Sequence, residues 1–130
     1  MLKQIISSPE VFDLKREYSQ VIKVQPKTLV FVSGQVALDR DGNTVGIGDI
    51  KAQARQVFEN LKAQLKAAGA DLEDVVKTTT FLTRPEDIEP LREVRLQYFK
   101  GDYPTSTLVV INQLVSKDWL IEVEAIAALG

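Results

Sequence analysis

Residues 118–128 read DWLIEVEAIAA, and the way they alternate decides how the chain can fold. In an extended strand, successive side chains point to opposite faces. Trp119, Ile121, Val123, Ala125 and Ala127 then share one side, and Leu120, Glu122, Glu124, Ile126 and Ala128 share the other. The first side is apolar throughout, and the second is half apolar. Residues 75–82, VVKTTTFL, repeat the pattern, with Val76, Thr78, Thr80 and Leu82 on one face and Val75, Lys77, Thr79 and Phe81 on the other. A solvated sheet face alternates more cleanly to polar residues than either strand does.

Working outward, three further runs rich in valine, isoleucine and threonine read as strands: Ser19 to Val24, Thr28 to Val36 and Thr107 to Ile111. Between them, Asp49 to Ala68 places Ile50, Ala54, Val57, Phe58, Leu61, Leu65 and Ala68 at steps of three and four, the stripe of an amphipathic helix. Asp49 is its expected N-cap, and Gly69 falls where a left-handed residue closes a helix. A second helix is predicted from about Pro90 to Phe99 with Leu91, Val94 and Tyr98 inward, and Pro85 marks a separate turn or short preliminary helix. DRDGN at 39–43 reads as a turn. The order strand, strand, helix, strand, helix, strand, strand implies an α+β fold of two layers, both helices on one face of a mixed sheet. Two helices cover only one face, so the half-apolar second face predicts a homo-oligomer that packs its bare sheet faces together.

At 130 residues the chain is expected to be one domain spanning residues 1–130. It contains no cysteine and no histidine. Disulfides, thiolate nucleophiles, histidine-dependent triads and the common zinc sites are thereby excluded, leaving carboxylates, tyrosine, lysine or ordered water for proton transfer. Sixteen basic residues against 18 acidic ones, scattered rather than clustered, argue against a nucleic-acid partner. No run of about 18 apolar residues suggests a membrane span, and the first residues lack the pattern of a secretory signal. A cytoplasmic location is the expectation.

Three places could carry chemistry. Glu122 and Glu124 share a strand face about 7 Å apart, from about 3.3 Å of rise per residue. They could divide acid and base roles, or they could pair with lysines and arginines across the sheet or an interface. In FVSGQVA at 31–37, a glycine within a valine-rich strand marks either a bulge or a close approach to another group, with Ser33 and Gln35 able to face a ligand. In YPTST at 103–107, Tyr103, Thr105, Ser106 and Thr107 are either the entry to a strand or the wall of a pocket.

Taken in order, YSQ at 18–20, FVSGQVA at 31–37, AQARQVFENLKAQLKAAGA at 52–70, DVVKTTTFLT at 74–83, YP with a small residue at 103–105 and IEVEAIA at 121–127 resemble the RidA/YjgF family of reactive-intermediate deaminases over nearly the whole chain. The resemblance implies a chorismate-mutase-like fold and a homotrimer whose sheets form a central barrel. It implies small-molecule sites in the clefts between subunits, without metal or organic cofactor. Such enzymes hydrolyse imines and enamines of amino acids to ammonia and a 2-keto acid. By family position Glu122 handles water, and Tyr18 and the backbone near Gly34 help form the pocket; on the hydrolase reading Ser106 and Thr107 position substrate, and Ser33 is a further candidate contact from its place beside Gly34. Where the family carries an arginine for the substrate carboxylate, this sequence has Ser106, and Arg92 replaces a frequent asparagine. Arg16, Arg92 and Arg95 are the cations that could restore an anion site. The implied functions are a carbon–nitrogen hydrolase with altered substrate preference, a non-catalytic metabolite- or partner-binding trimer, or, against the acidic charge balance, an endoribonuclease.

Overall fold

The longest helix forms where the apolar stripe is longest. Helix α1 (Ile50–Ala67) buries Ile50, Ala54, Val57, Phe58, Leu61 and Leu65 along one side. Asp49 caps it as expected, its side chain accepting from the Ala52 backbone N–H. At the other end Gly69, with φ of 77°, takes the left-handed turn that lets Ala70 N–H bond the Leu65 carbonyl. Ala68, expected on the stripe, is instead the exposed residue closing the helix.

The computed structural model describes residues 1–130, and its strands are β1 (Leu2–Ile6), β2 (Val21–Gln25), β3 (Thr28–Gln35), β4 (Val75–Leu82), β5 (Thr105–Val110) and β6 (Ile121–Leu129). Helix α2 (Ile88–Tyr98) lies between β4 and β5, preceded by a 3₁₀ turn at Pro85–Asp87. It begins two residues before Pro90, so the proline falls in the first turn, where its missing N–H breaks no helical bond. Phe99, expected inside the helix, is its extended C-cap.

The main sheet has the order β3-β6-β4-β5, with β6 antiparallel to both neighbours and β5 parallel to β4. Both helices pack on one face, as the two-layer α+β reading requires. That face holds the core: Ile121, Val123, Ala125 and Ala127 of β6 meet Val57, Phe58 and Leu61 of α1 and Leu91 and Val94 of α2. Phe58 lies 5.2 Å from the Tyr98 ring and 5.9 Å from that of Phe99, joining the two helices through aromatic contacts. Each such large side chain, fully buried, contributes about 1.5–3 kcal/mol.

Expectations change in the strands as well, and β2 starts at Val21 rather than Ser19. Val75 turns onto the helix face and is 1% exposed, because the β4–β6 register shifts between Val75 and Lys77 and reverses the alternation there. Strand β5 starts at Thr105, two residues earlier than expected, since Thr105 pairs with Lys77 and its hydroxyl donates to the Val76 carbonyl at 2.7 Å. The remaining addition is β1, which pairs only with β2 in a separate two-stranded ribbon.

The other face of the sheet has no helix. Leu29 and Phe31 of β3 stand beside Ala128 and Ile126 of β6, and Phe31 is 71% exposed. No helix is long and apolar enough to cross a membrane.

Candidate functional site

On the bare face, the FVSGQVA stretch makes both of the things its glycine allows. The β3–β6 register shifts between Val32 and Gln35, so Ser33 and Gly34 form a bulge, and the Glu122 side chain lies directly over Gly34. A Cβ at position 34 would stand 2.3 Å from Glu122 Oε2 and 2.7 Å from its Cδ. Only a residue without a side chain lets the carboxylate lie there. Ser33 is exposed, and its carbonyl accepts from Gln35 Nε2 at 3.0 Å.

Glu122 stands across from Phe81 of β4 and Glu124 across from Thr79, one strand position apart on the same face. The ion pairs of the chain all involve other residues, so neither carboxylate is neutralised by a lysine or arginine of its own protomer. Of the two, Glu122 is half-buried and Glu124 exposed. Thr107 is on this face too, its hydroxyl accepting from Lys77 Nζ at 2.8 Å.

Ser106 is on the opposite face. It pairs with Thr78, whose side chain is buried beneath the helices, and its Oγ accepts from Arg95 Nη1 of α2 at 2.9 Å. Here α2, β5 and residues 16–18 enclose a pocket of about 350 Å³ lined by Arg16, Tyr18, Arg92, Arg95, Ser106 and Leu108, among others. Ser19 holds the 16–18 segment in place: its backbone N–H donates to the Pro104 carbonyl at 3.1 Å and its hydroxyl to that of Tyr103 at 2.5 Å. The strand-entry hydroxyls therefore divide their work. Thr105 serves the strand, Ser106 faces the pocket and Thr107 faces the bare side.

The three candidate cations also differ. Arg92 is engaged by Glu17 in a two-pronged pair, its Nε donating to Oε2 at 2.5 Å and its Nη2 to Oε1. That hydrogen bonding holds the Glu17 carboxyl below its ordinary value and raises the Arg92 guanidinium. Arg16 is exposed. Arg95 is drawn into the fold, 5.8 Å above the Phe99 ring; burial lowers its pKa, and the Glu17 charge opposes that shift. Sequence reasoning named Arg95 but not its partner, and it did not find Glu17. The available signal was helical spacing: Arg95 falls four residues after Leu91 and one after Val94, a charge at the edge of an inward stripe.

No cluster of acidic groups capable of holding a metal ion is present. The chain thus presents a carboxylate over a bulge on one face and an arginine-lined pocket on the other. A family model described as endoribonuclease L-PSP matches residues 10–129. A RutC family protein of Pyrococcus abyssi is 41% identical over 127 residues, 98% of each chain. The 2-iminobutanoate/2-iminopropanoate deaminase of Homo sapiens is 32% identical, over 100% of this chain and 93% of its own. Among solved structures, YyfB of Yersinia pestis, a protein of unknown function in the conserved Rid family, superposes with a TM-score of 0.88 at 28% identity, covering 99% of this chain and 100% of that one. By the family model over residues 10–129, the identity to its relatives and the superposition, this chain belongs to the RidA/YjgF family.

Proposed function

We propose that the protein is a small-molecule hydrolase acting on imine or enamine carbon–nitrogen bonds, with Glu122 handling the attacking water. The observation that carries this reading is the Glu122 carboxylate itself, laid over Gly34 without a cation of its own protomer to neutralise it. A free carboxylate beside exposed backbone can take a proton from water as the oxygen attacks the imine carbon. That proton passes to the imine nitrogen to give a neutral carbinolamine; the carboxylate then carries the hydroxyl proton to nitrogen, the carbon–nitrogen bond breaks, and ammonia leaves as the carbonyl forms. Water supplies the oxygen and no oxidant is consumed. The name of the human relative, a deaminase of 2-imino acids, supports this chemistry for a homologous frame.

The sheet separates Glu122 from Ser106, so one protomer does not bring the two halves together. The reading therefore requires a neighbouring copy, and a homotrimer with clefts between subunits is the assembly proposed. Exposed Leu29 and Phe31 on the bare face support it, since apolar side chains on a helix-free sheet face favour burial against another copy. In that cleft Tyr18 and Ser106 of one protomer, with Ser33, Gly34 and Thr107 of the next, would position the substrate beside Glu122.

The test is a coupled assay on freshly generated 2-iminopropanoate and 2-iminobutanoate. Turnover should survive Ser106→Ala and fall by about 10² or more in Glu122→Gln. Full activity in Glu122→Gln refutes the assignment. Absence of turnover in the unmodified protein, together with thermal stabilisation by a metabolite, would make it a binding protein instead. The net charge of -2 gives RNA no basic track, and cleavage of RNA abolished by Glu122→Gln would reverse that ranking.

A further inference from the structure

Helix α1 carries a row of amides beside its apolar stripe. Gln53, Gln56 and Asn60 follow one another at steps of three and four, so they share one edge of the helix. Gln53 is completely buried, which is uncommon for a glutamine, and both ends of its amide are engaged. Its Nε2 donates to the Gly46 carbonyl at 3.1 Å and to the Asp118 carbonyl at 2.8 Å, and its Oε1 accepts from the Leu120 backbone N–H at 2.8 Å. Carbonyls only accept and an N–H only donates, so the amide has one orientation open to it. Two turns further on, Asn60 Nδ2 donates to the Val36 carbonyl at 3.0 Å and to the Leu38 carbonyl at 2.8 Å. Gln56 fixes that orientation by donating to Asn60 Oδ1 at 2.8 Å.

Every group that Gln53 bonds, and every carbonyl that Asn60 reaches, is main chain. Leu120 is the residue before β6, and Val36 is the residue after β3. Glu122 lies two residues beyond the first of these points, and Gly34 two residues before the second. Past the bulge, Gln35–Val123 is the last pair of the β3–β6 ladder. The two strands therefore part where the carboxylate lies over the glycine, and side chains of α1 take up the backbone groups that a ladder satisfies elsewhere. The contact they flank has little tolerance, since a Cβ at position 34 would stand 2.3 Å from Glu122 Oε2.

We propose that Gln53 and Asn60 are positioning residues for Glu122: from the helix-covered face, acting through the backbone at Leu120 and Val36, they set the carboxylate over Gly34 on the bare face. Neither lines the arginine-bearing pocket, so neither touches a ligand there. The consequence for turnover rests on the hydrolase reading of Glu122; the consequence for the Glu122–Gly34 geometry does not.

The experiment takes two readings of each variant, with urea denaturation confirming that it is folded under assay conditions. One is kcat and KM on 2-iminopropanoate. The other is the Gly34 amide resonance, followed through a pH titration in nitrogen–proton correlation spectra, with Glu122→Gln identifying the displacement caused by the overlying carboxyl. Gln53→Met, which keeps the length of the side chain and removes its hydrogen bonds, should lower kcat by roughly 10- to 100-fold with KM little changed, and should shrink the Gly34 displacement. Asn60→Leu, at a half-buried position where folding is less at risk, should have the same two effects at several-fold. Gln53→Glu, whose protonated carboxyl still accepts from Leu120 and donates to one carbonyl, should recover part of both. Gln64→Met, exposed further along the same helix, should alter neither.

Unchanged kcat and an unchanged Gly34 displacement in both Gln53→Met and Asn60→Leu would overturn the proposal, as would a kcat that falls only in proportion to the folded fraction. The two readings fail separately. Turnover that needs Glu122 but ignores both amides refutes the positioning role and leaves the hydrolase reading standing. Without turnover in the unmodified protein the hydrolase reading falls, and the Gly34 displacement alone decides whether Gln53 and Asn60 place the carboxylate.

Discussion

On the helix-covered face of the sheet, Ile121, Val123 and Ala127 of β6 are wholly removed from solvent, whereas on the bare face Phe31 keeps 71% of its surface exposed. The two faces share the same strands and differ in where their partners come from. Helices α1 and α2 supply the covered face from within the chain, so its stability belongs to one protomer. The bare face carries Glu122 and Gly34 beside exposed apolar side chains, and no element of the chain covers it. Function follows the same division. A pocket with a held arginine lies beside α2, and under the proposed function the carboxylate on the bare side works with a pocket brought by another copy.

Substitutions on each side can break or sharpen this contrast. The largest effect is expected on the covered face: Phe58→Ala, at a residue 1% exposed that joins both helices, should cost about 3–5 kcal/mol by urea denaturation. A cost near zero would mean that the helices do not depend on that contact. Next is Gly34→Ala on the bare face. The added methyl needs the space of the Glu122 carboxylate, so turnover should fall by about 10², comparable with loss of the proposed general base, while stability changes little. Equal loss of folding and activity would show Gly34 to be a backbone requirement instead. Phe31→Asp should leave the stability of the isolated chain within about 0.5 kcal/mol, because the side chain is already exposed there, yet reduce the mass seen by light scattering to that of a protomer. An unchanged mass would remove the bare face from the assembly.

The smallest effect concerns Glu17. Its carboxyl titrates below the ordinary 4.5 when folded, so the stability it contributes is present above 4.5 and is lost as pH falls through the depressed value. Glu17→Gln should therefore flatten the acid limb of the stability profile slightly, the side chains of the pair keeping 34% and 23% of their surface in solvent, which screens it. An acid limb identical to that of the unmodified protein would separate the Glu17–Arg92 pair from folding.

What the sequence disclosed tracks how local each feature is. The stripe from Ile50 to Leu65 with Asp49 and Gly69 at its ends carries its own instructions, and α1 follows them. The two-faced strand at 121–129 likewise announced a sheet with one face left over. Strand β1, LKQII, was not legible: four of its five residues are exposed and its only partner is β2, so no alternation marks it. The reversal at Val75 depends on a register shift against β6, a relation between segments that no single run of residues encodes. Within the site, Glu122 and Gly34 stood out by strand pattern and took their roles from family resemblance, Tyr18 came through resemblance alone, and the contact between the first two needed the β3 bulge to become visible. Arg95 was one of three equivalent arginines until Glu17 removed Arg92 and Ser106 received Arg95.

The central claim is that catalysis joins opposite faces of two copies of the sheet, and subunit complementation tests it most directly. Glu122→Gln removes the carboxylate, and Ser106→Phe fills the pocket without touching the bare face. Each variant alone should be inactive. Refolded together in equal amounts as cyclic trimers, they should regain about a quarter of the unmodified activity, because one site in four then pairs an intact carboxylate with an intact pocket. Activity no greater than that of the two variants measured apart would place the whole site within one chain and contradict the account.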